Sequence, residues 1–320
     1  MNILLVDGTN LFIRNYSAVP TLDMHGSPNG GVYGTLLSIR KIMSVVKPDK
    51  IIIAWDAPGG SKKRRAIVED YKNGRKPIRL NRNFEFEEDN EQENRVKQRV
   101  RLGEYLNDLP LHQIIIEDIE ADDAIAYLCQ YYRNDRKVIA SNDKDFIQLL
   151  NENTVIYNSK KIFFTRKDAY DELKIHPRNF AIARAVTGDK SDNLKGVKGI
   201  GLATLLKLFP FFLEKEKIEI EQIFNHCEGQ TKDKYKEVLE AKQQVLNNYK
   251  VMRLDTIMIS VNSIERIKQN VEMQTGLNST AFCVKLMEDS LKISDNFFQP
   301  FRIIALKEKE TTINDDSSSN

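Results

Sequence analysis

The chain has 320 residues, a net charge of only +2 and 41% hydrophobic content, which suits a soluble protein of roughly two domains with a proper core. No stretch approaches the ~18 apolar residues of a membrane span, and Asp7 stops the first apolar run at once, so neither a membrane anchor nor a signal peptide is expected. Three distant cysteines and four scattered histidines exclude a disulfide frame and a zinc site of the usual spacing, and point to a reducing, cytoplasmic compartment.

In chain order, "NILLVDGTN" reads as a short buried strand ending in Asp7, then a turn. "GTLLSIRKIMSVVK" (34–47) has helical spacing closed by Pro48, and "KIIIAWD" is a second strand ending in Asp56. From 61 to about 94 the chain is charged and has little apolar periodicity. Nine bases and two acids lie between Lys62 and Arg82, then six acids and no base between Glu85 and Glu93, which reads as a mobile excursion outside the core. "NRVKQRVRLGEYLNDL" is helical, "HQIIIE" a third strand, "ADDAIAYLCQYY" a helix and "KVIAS" a fourth strand, with two more strands expected at "TVIYN" and "KIFF". Alternating strands and helices imply a mostly parallel sheet flanked by helices. From about 166 the chain reads as helical, and "KEKETTINDDSSSN" (307–320) reads as a disordered tail.

Four predicted strands are each followed by acids: Asp7; Asp56; Glu117, Asp118, Glu120, Asp122 and Asp123; Asp143 and Asp145. One such acid alone is best read as a helix cap. Acids at every strand end are different, because the carboxyl edge of an open α/β sheet is where ligands bind. "TGDKSDN" adds Asp189 and Asp192. An oxygen-only donor set suits magnesium or manganese, and two such ions ~4 Å apart form the clamp used in phosphodiester hydrolysis. "GVKGIG" (196–201) is either a plain turn between helices or a hairpin offering backbone N–H groups to a DNA phosphate.

The order "DGTN…WDAPG…KKRRAIVEDYKNGR…EADDAIA…SNDKDF…TGDKSDNLKGVKGIG" resembles the 5′-nuclease family over about residues 1–260. That family holds phage 5′–3′ exonucleases and flap endonucleases, the ribonuclease H of T-even phages and the 5′-nuclease domain of bacterial DNA polymerase I. The resemblance implies a free-standing member of a bacterium or a phage-infected cell. It implies an α/β nuclease domain over 1–186 with a helical arch at 59–94, a helix-hairpin-helix-type DNA-binding region at 187–260 and a C-terminal helical region at 261–306. Asp7, Asp56, Glu120 and Asp122 match its first metal cluster. Asp143, Asp145, Asp189 and Asp192 match its second, with Asp123 near both; Glu117 and Asp118 fall off the motif and read as surface acids.

Within the arch, Arg64, Tyr71, Lys72 and Arg75 match the spacing R-x6-Y-K-x2-R. Glu69 stands where proline is usual, and Gly74 where asparagine is. Lys72 and Arg75 are the expected catalytic cations; Arg64 and Tyr71 are expected DNA contacts, with Tyr71 equally readable as an apolar anchor. Arg14 and Tyr16 are read as meeting the 5′ side of the substrate or simply packing. At the hairpin, Gly196, Lys198, Gly199 and Gly201 are expected to meet DNA, and the carbonyls of Lys195, Val197 and Ile200 to hold a potassium ion. The implied function is a two-metal 5′–3′ nuclease acting as a monomer on flaps, nicks and RNA–DNA hybrids. The alternatives are a non-catalytic nucleic-acid-binding module, which has no use for eight aligned carboxylates, and an aspartyl phosphatase, which wants Asp-x-Asp where Asp7-Gly8-Thr9 stands. "DNFFQPF" (295–301) reads as a site for a sliding clamp or single-strand-binding protein, or as a helix end packed on the body.

Overall fold

The structure is a computed structural model and describes residues 1–74, 79–81, 88–158, 160, 162–214, 216–254 and 259–307. The first half runs β1 (Asn2–Asp7), α1 (Gly8–Ala18), α2 (Gly30–Val46), β2 (Lys50–Trp55), α3 (Lys62–Ile67), α4 (Glu88–Leu106), β3 (His112–Ile115), α5 (Ala121–Tyr131), β4 (Arg136–Ala140), a 3-10 turn (Lys144–Leu149) and β5 (Thr154–Tyr157). The second half holds α6 (Arg166–Leu173), α7 (Phe180–Thr187), the two-residue strands β6 (Gly188–Asp189) and β7 (Leu194–Lys195), then α8 (Leu202–Leu208), α9 (Phe211–Glu214), α10 (Ile220–Cys227), α11 (Asp233–Glu240), α12 (Lys242–Met252), α13 (Val261–Glu272) and α14 (Ser279–Glu288).

The five strands β1–β5 pair in parallel in the order β3-β2-β1-β4-β5. Parallel sheets need helices on both faces, and β1 shows why this sequence supplies them. Its residues are apolar at successive positions, so Ile3 and Leu5 enter one core while Leu4 and Val6 enter the other. The first core is closed by α5 and Ile267 and Val271 of α13; the second by α1, α2, α4 and a C-terminal aromatic group. A third core, built from Val186, Val197, Ile200, Phe209, Phe212 and their neighbours, belongs to the helical half. The sheet order reverses at β1, since β2 and β3 lie on one side and β4 and β5 on the other. Such a switch leaves a crevice at the carboxyl ends of the two strands between which the order turns, here β1 and β4.

Four expectations change. The turn expected after Asp7 is α1, which starts at once because the Asp7 carboxylate accepts from the Asn10 amide at 3.0 Å and caps it. Helix α2 begins four residues before the expected start, where a Cβ on Gly31 would lie 2.6 Å from the Phe12 ring; the glycines that hide the helix from periodicity allow α1 and α2 to approach. The strand expected at 161–164 is reduced to one antiparallel bridge, Phe164 to Ile156, and residue 161 lies outside the described residues. The charged excursion contains helix at both ends, α3 and the start of α4, while 75–78 and 82–87 lie outside the described residues, as does 308–320 of the expected tail. The C-terminal aromatics pack inward: Phe297 and Phe301 are fully buried beside Phe282, with ring centroids 5.2 Å apart for Phe282–Phe297. Among the described residues no helix is long and apolar enough to cross a membrane.

Candidate active site

The crevice between β1 and β4 is lined by the acids that end the strands. Asp7 closes β1 and is 8% exposed; its second oxygen accepts from Ser141 Oγ at 2.9 Å. Ser141 follows β4, and its hydroxyl also accepts from the Asp143 amide at 3.0 Å, so one side chain spans the switch point. Burial pushes the Asp7 carboxyl up to about 7, with Asp56 and Asp143 adding like-charge repulsion against the hydrogen bonds from Asn10 and Ser141. Asp56 follows β2, where its amide donates to Thr9 Oγ1 at 2.9 Å and its carboxylate accepts from the Ala121 amide at 2.9 Å. That second bond ties the end of β2 to the start of α5.

Helix α5 opens with Glu120, Asp122 and Asp123. Asp122 accepts from the amide of Asp123 at 2.7 Å, and Asp123 accepts from the amide of Glu120 at 3.2 Å, so the carboxylates satisfy the free N–H groups of the first turn. Burial first, and then Asp122, pushes Glu120 up, against the pull of Arg64 and Lys72. Glu117 and Asp118, the acids off the motif, are exposed, and Asp118 pairs with Lys62 at 3.4 Å.

The second group starts at the 3-10 turn. Asp143 caps it by accepting from the Asp145 amide at 2.9 Å. Asp145 lies well above the ordinary carboxylate range, through burial first and then through Asp143, Asp192, Asp122 and Asp189. Its like-charged neighbours come from both groups, which therefore share one space. Asp189 behaves differently: burial alone would raise it, but Ser191 and Arg184 hold it below its ordinary value. It accepts from Ser191 Oγ at 2.5 Å and from the Arg184 guanidinium. Asp192 is buried beside it. Among the described residues no three His, Cys, Asp or Glu side chains close into a ready-made ion cage; Asp7, Asp56, Asp143 and Asp189 accept from protein donors.

The root of the expected arch leans over this space. Tyr71 is 3% exposed and packs with Leu194, Val251 and Met252, and its hydroxyl donates to Glu120 at 3.2 Å. It sits as the apolar anchor, not as a free stacking platform. Lys72 adopts a positive φ of 60°, its amide donates to the Asp192 carbonyl at 2.9 Å, and its Nζ reaches Glu120 Oε1 at 2.6 Å. The lysine thus meets the first acid group through its ammonium and the second only through the Asp192 backbone, and against burial, which lowers its pKa, Glu120 and Asp122 hold that pKa up. Arg64 is 2% exposed and faces Glu120, Asp122 and Asp123, which leaves it no surface for DNA. Arg75 lies outside the described residues. Arg14 is half-buried, and Tyr16 is buried with its hydroxyl on the Glu91 carbonyl at 3.0 Å, so Tyr16 packs.

The 196–201 turn follows β7. Val197 and Ile200 are buried in the helical core, while Lys195, Lys198, Gly199 and Gly201 face outward. The Lys195 carbonyl accepts from Gln244 Nε2 at 2.7 Å and Asn248 Nδ2 at 2.8 Å, and the Val197 carbonyl accepts from the Ile200 amide at 3.1 Å. Both lone pairs of the Lys195 oxygen are thus used, in competition with the expected potassium ion. Gly196 is held by its own backbone: a Cβ there would lie 2.2 Å from the Thr187 carbonyl group. Gly196→Ala is expected to lower stability by about 1–3 kcal/mol, since backbone cannot repack as a side chain can. A urea melt measures this, and an unchanged midpoint would show that β6 and β7 separate freely.

Sequence reasoning missed Ser141, Thr9, Arg184, Ser191 and Arg99, which fix the acids in place. The Ser191 position, two after Asp189, is the spacing of a local side-chain turn and was legible. The Arg99 guanidinium, which donates to the Asp56 carbonyl and lies 5.5 Å over Trp55, joins residues 43 apart and left no local mark.

A strand-end cluster of carboxylates at a sheet switch point, with a lysine reaching across it, is the arrangement of a phosphodiester-processing domain. The family described as 5′-3′ exonuclease, N-terminal resolvase-like domain, matches residues 2–176. The 5′-3′ exonuclease of Buchnera aphidicola subsp. Schizaphis graminum is 31% identical over 258 residues, covering 78% of this chain and 81% of that protein. The chain belongs to the 5′-3′ exonuclease family. DNA polymerase I of Streptococcus pneumoniae serotype 4 is 30% identical over 269 residues, which are 79% of this chain; the match spans only 28% of the polymerase. A bacteriophage T5 flap endonuclease, solved as a pseudo-enzyme-product complex with DNA and metal ions, superposes with a TM-score of 0.67 at 19% identity, covering 91% of this chain and all of that one. At that identity the likeness shows the fold.

Proposed function

We propose that the chain is a divalent-metal-dependent 5′–3′ exonuclease and flap endonuclease, hydrolysing phosphodiester bonds at 5′ ends, flaps, nicks and RNA primers annealed to DNA. The observation that carries the reading is the meeting of two acid groups at one crevice, with the Lys72 ammonium on Glu120 and its amide on the Asp192 carbonyl. The donor set fits magnesium or manganese: the lining acids are hard oxygens, and burial, with like-charge repulsion added to it, raises Asp7 and Asp145, a cost that a cation would offset. Asp7, Asp56, Glu120 and Asp122 would hold one ion, and Asp143, Asp145, Asp189 and Asp192 another. When bound, the ions supply an activated water and charge neutralisation at the leaving oxygen.

The chain's own groups do the rest. Ser141, Thr9, Ser191 and Arg184 orient the acids. Lys72, on leaving Glu120, reaches a phosphate drawn over the crevice and stabilises its developing charge. The outward backbone of Gly199 and Gly201, beside Lys195 and Lys198, faces the duplex. The Buchnera and Aquifex aeolicus relatives, both named 5′-3′ exonucleases, support the reading. The test is cleavage of a 5′-labelled flap, a nicked duplex and an RNA primer on DNA, each in magnesium and in chelator. Binding of all three with no cleavage of any would leave a binding module.

The hairpin contact has a separate test. Nothing lies within 4 Å of a Cβ on Gly201, which is the N-cap of α8 with a φ of −90°. Aspartate is a good N-cap, so Gly201→Asp is expected to keep or raise the melting temperature. Its charge would face phosphate, so duplex affinity should fall several-fold. Unchanged duplex affinity would place the hairpin away from DNA.

A further inference from the structure

Among the described bases near the acid groups, Arg64 is the one with no surface. It lies on α3, at the root of the charged excursion, and its side chain points inward. Nη1 and Nη2 each donate to one oxygen of Asp123 at 2.8 Å, a two-pronged pair. Nη1 also lies 3.0 Å from Glu120 Oε2, and Nη2 lies 3.7 Å from Asp122 Oδ1. Nε donates to the carbonyl of Val251, in α12, at 2.9 Å. Asp123 is 1% exposed, and both of its oxygens are used by Arg64 and the Glu120 amide. One guanidinium therefore joins three elements distant in sequence, α3, α5 and α12, under the floor of the crevice.

We propose that Arg64 is a positioning residue that acts through Glu120 and Asp123: it fixes the Glu120 carboxylate from beneath and withdraws Asp123 from the acids open to a divalent ion. This rests on the metal-dependent reading above. Glu120 is divided between two cations. Oε2 faces Arg64, which cannot leave, and Oε1 faces Lys72, which is partly exposed and can. The upper oxygen is thereby presented to the crevice in one orientation. Asp123 serves as the counter-charge that makes a buried guanidinium tolerable, since a buried ion without a partner is strongly unfavourable. The role of a motif arginine as a DNA contact gives opposite expectations on every count.

The experiment compares the wild-type chain with Arg64→Lys, Asp123→Asn and Asp122→Asn. Magnesium binding is followed by calorimetric titration without DNA, well below each melting temperature. Flap affinity is measured in calcium over a salt series, together with single-turnover rates in magnesium. A group that orients a metal ligand costs about 10- to 100-fold in ion affinity when lost. Arg64→Lys is expected to weaken magnesium binding by that factor and to slow turnover. Flap affinity and its salt slope should stay within twofold of wild type, because no phosphate contact is lost. Asp123→Asn should keep the wild-type number of bound ions, whereas Asp122→Asn should lose one. Unchanged magnesium affinity with weaker, less salt-dependent DNA binding in Arg64→Lys would overturn the proposal in favour of a DNA contact. A lower melting temperature with unchanged magnesium affinity would overturn it in favour of a purely structural ion pair. If Arg64→Lys does not fold, loss of an ion in Asp123→Asn decides against it and retention decides for it. A wild-type chain that binds no magnesium would instead overturn the metal-dependent reading itself.

Discussion

Asp145→Asn is expected to abolish flap cleavage in magnesium while raising the melting temperature of the chelator-treated protein. The two effects share one cause. Asp145 is pushed up by burial and by Asp143, Asp192, Asp122 and Asp189, so its charge strains the fold where no cation offsets it. Removing that charge relieves the strain, a gain of a few degrees for a chain of this size. It also removes a ligand charge, and turnover should fall by more than about 100-fold, the upper range for merely disturbing a ligand. The sign of the pH dependence follows from Asp7, which rises from 3.8 to about 7 on folding. Across that window the native state holds protons that the unfolded chain has lost, so Asp7's stabilising contribution falls as pH rises. In chelator the wild type should therefore melt lower at pH 7.5 than at pH 5.5, and Asp145→Asn should narrow the gap. A variant that cleaves normally would show that Asp145 holds no ion, and one that is less stable in chelator would show that its charge does not strain the fold.

Lys72→Ala is expected to lower the single-turnover rate by about 100- to 1,000-fold, the range for losing one donor to a transition-state charge. Flap affinity should change far less. An interaction made chiefly in the transition state affects rate, and one made equally in the ground state affects affinity. Lys72 is placed for the first: its amide on the Asp192 carbonyl fixes the backbone, so Nζ swings from a known point. The fold should survive, because Glu120 keeps Arg64 and Tyr71 as partners. Arg79, exposed and off the motif, is the control. Arg79→Ala should weaken binding and flatten its salt dependence, with the saturated rate retained. Equal rates for both variants at saturation would reduce Lys72 to part of a positive face.

The sheet was legible because its signal is local. Runs such as "NILLVD" and "KIIIAW" are apolar on both faces and each stops at an acid, so strand and site announce themselves together. The acid groups were legible for the same reason. What stayed hidden depends on contacts across the chain. Arg64 matches the motif, yet nothing local marks it as internal; its pairing with Asp123, 59 positions away, does. Tyr71 and Phe297 look exposed among polar neighbours, yet α12 and α14 supply their burial. Helix α2 was cut short because its opening glycines carry no periodicity, although their smallness is what lets it pack. The protein donors to the Lys195 carbonyl left no mark in the turn itself, since they come from α12, about 50 residues on.

The central claim is that two acid groups at one crevice serve one hydrolytic step. It is tested most directly by the single-turnover rate of flap cleavage as magnesium is titrated from a chelated state. Two cooperating ions predict no cleavage in chelator and a rate rising with about the second power of magnesium at low concentration, falling to first power or below in Asp145→Asn. Cleavage at full rate in chelator, or a wild-type rate independent of magnesium, would contradict the account.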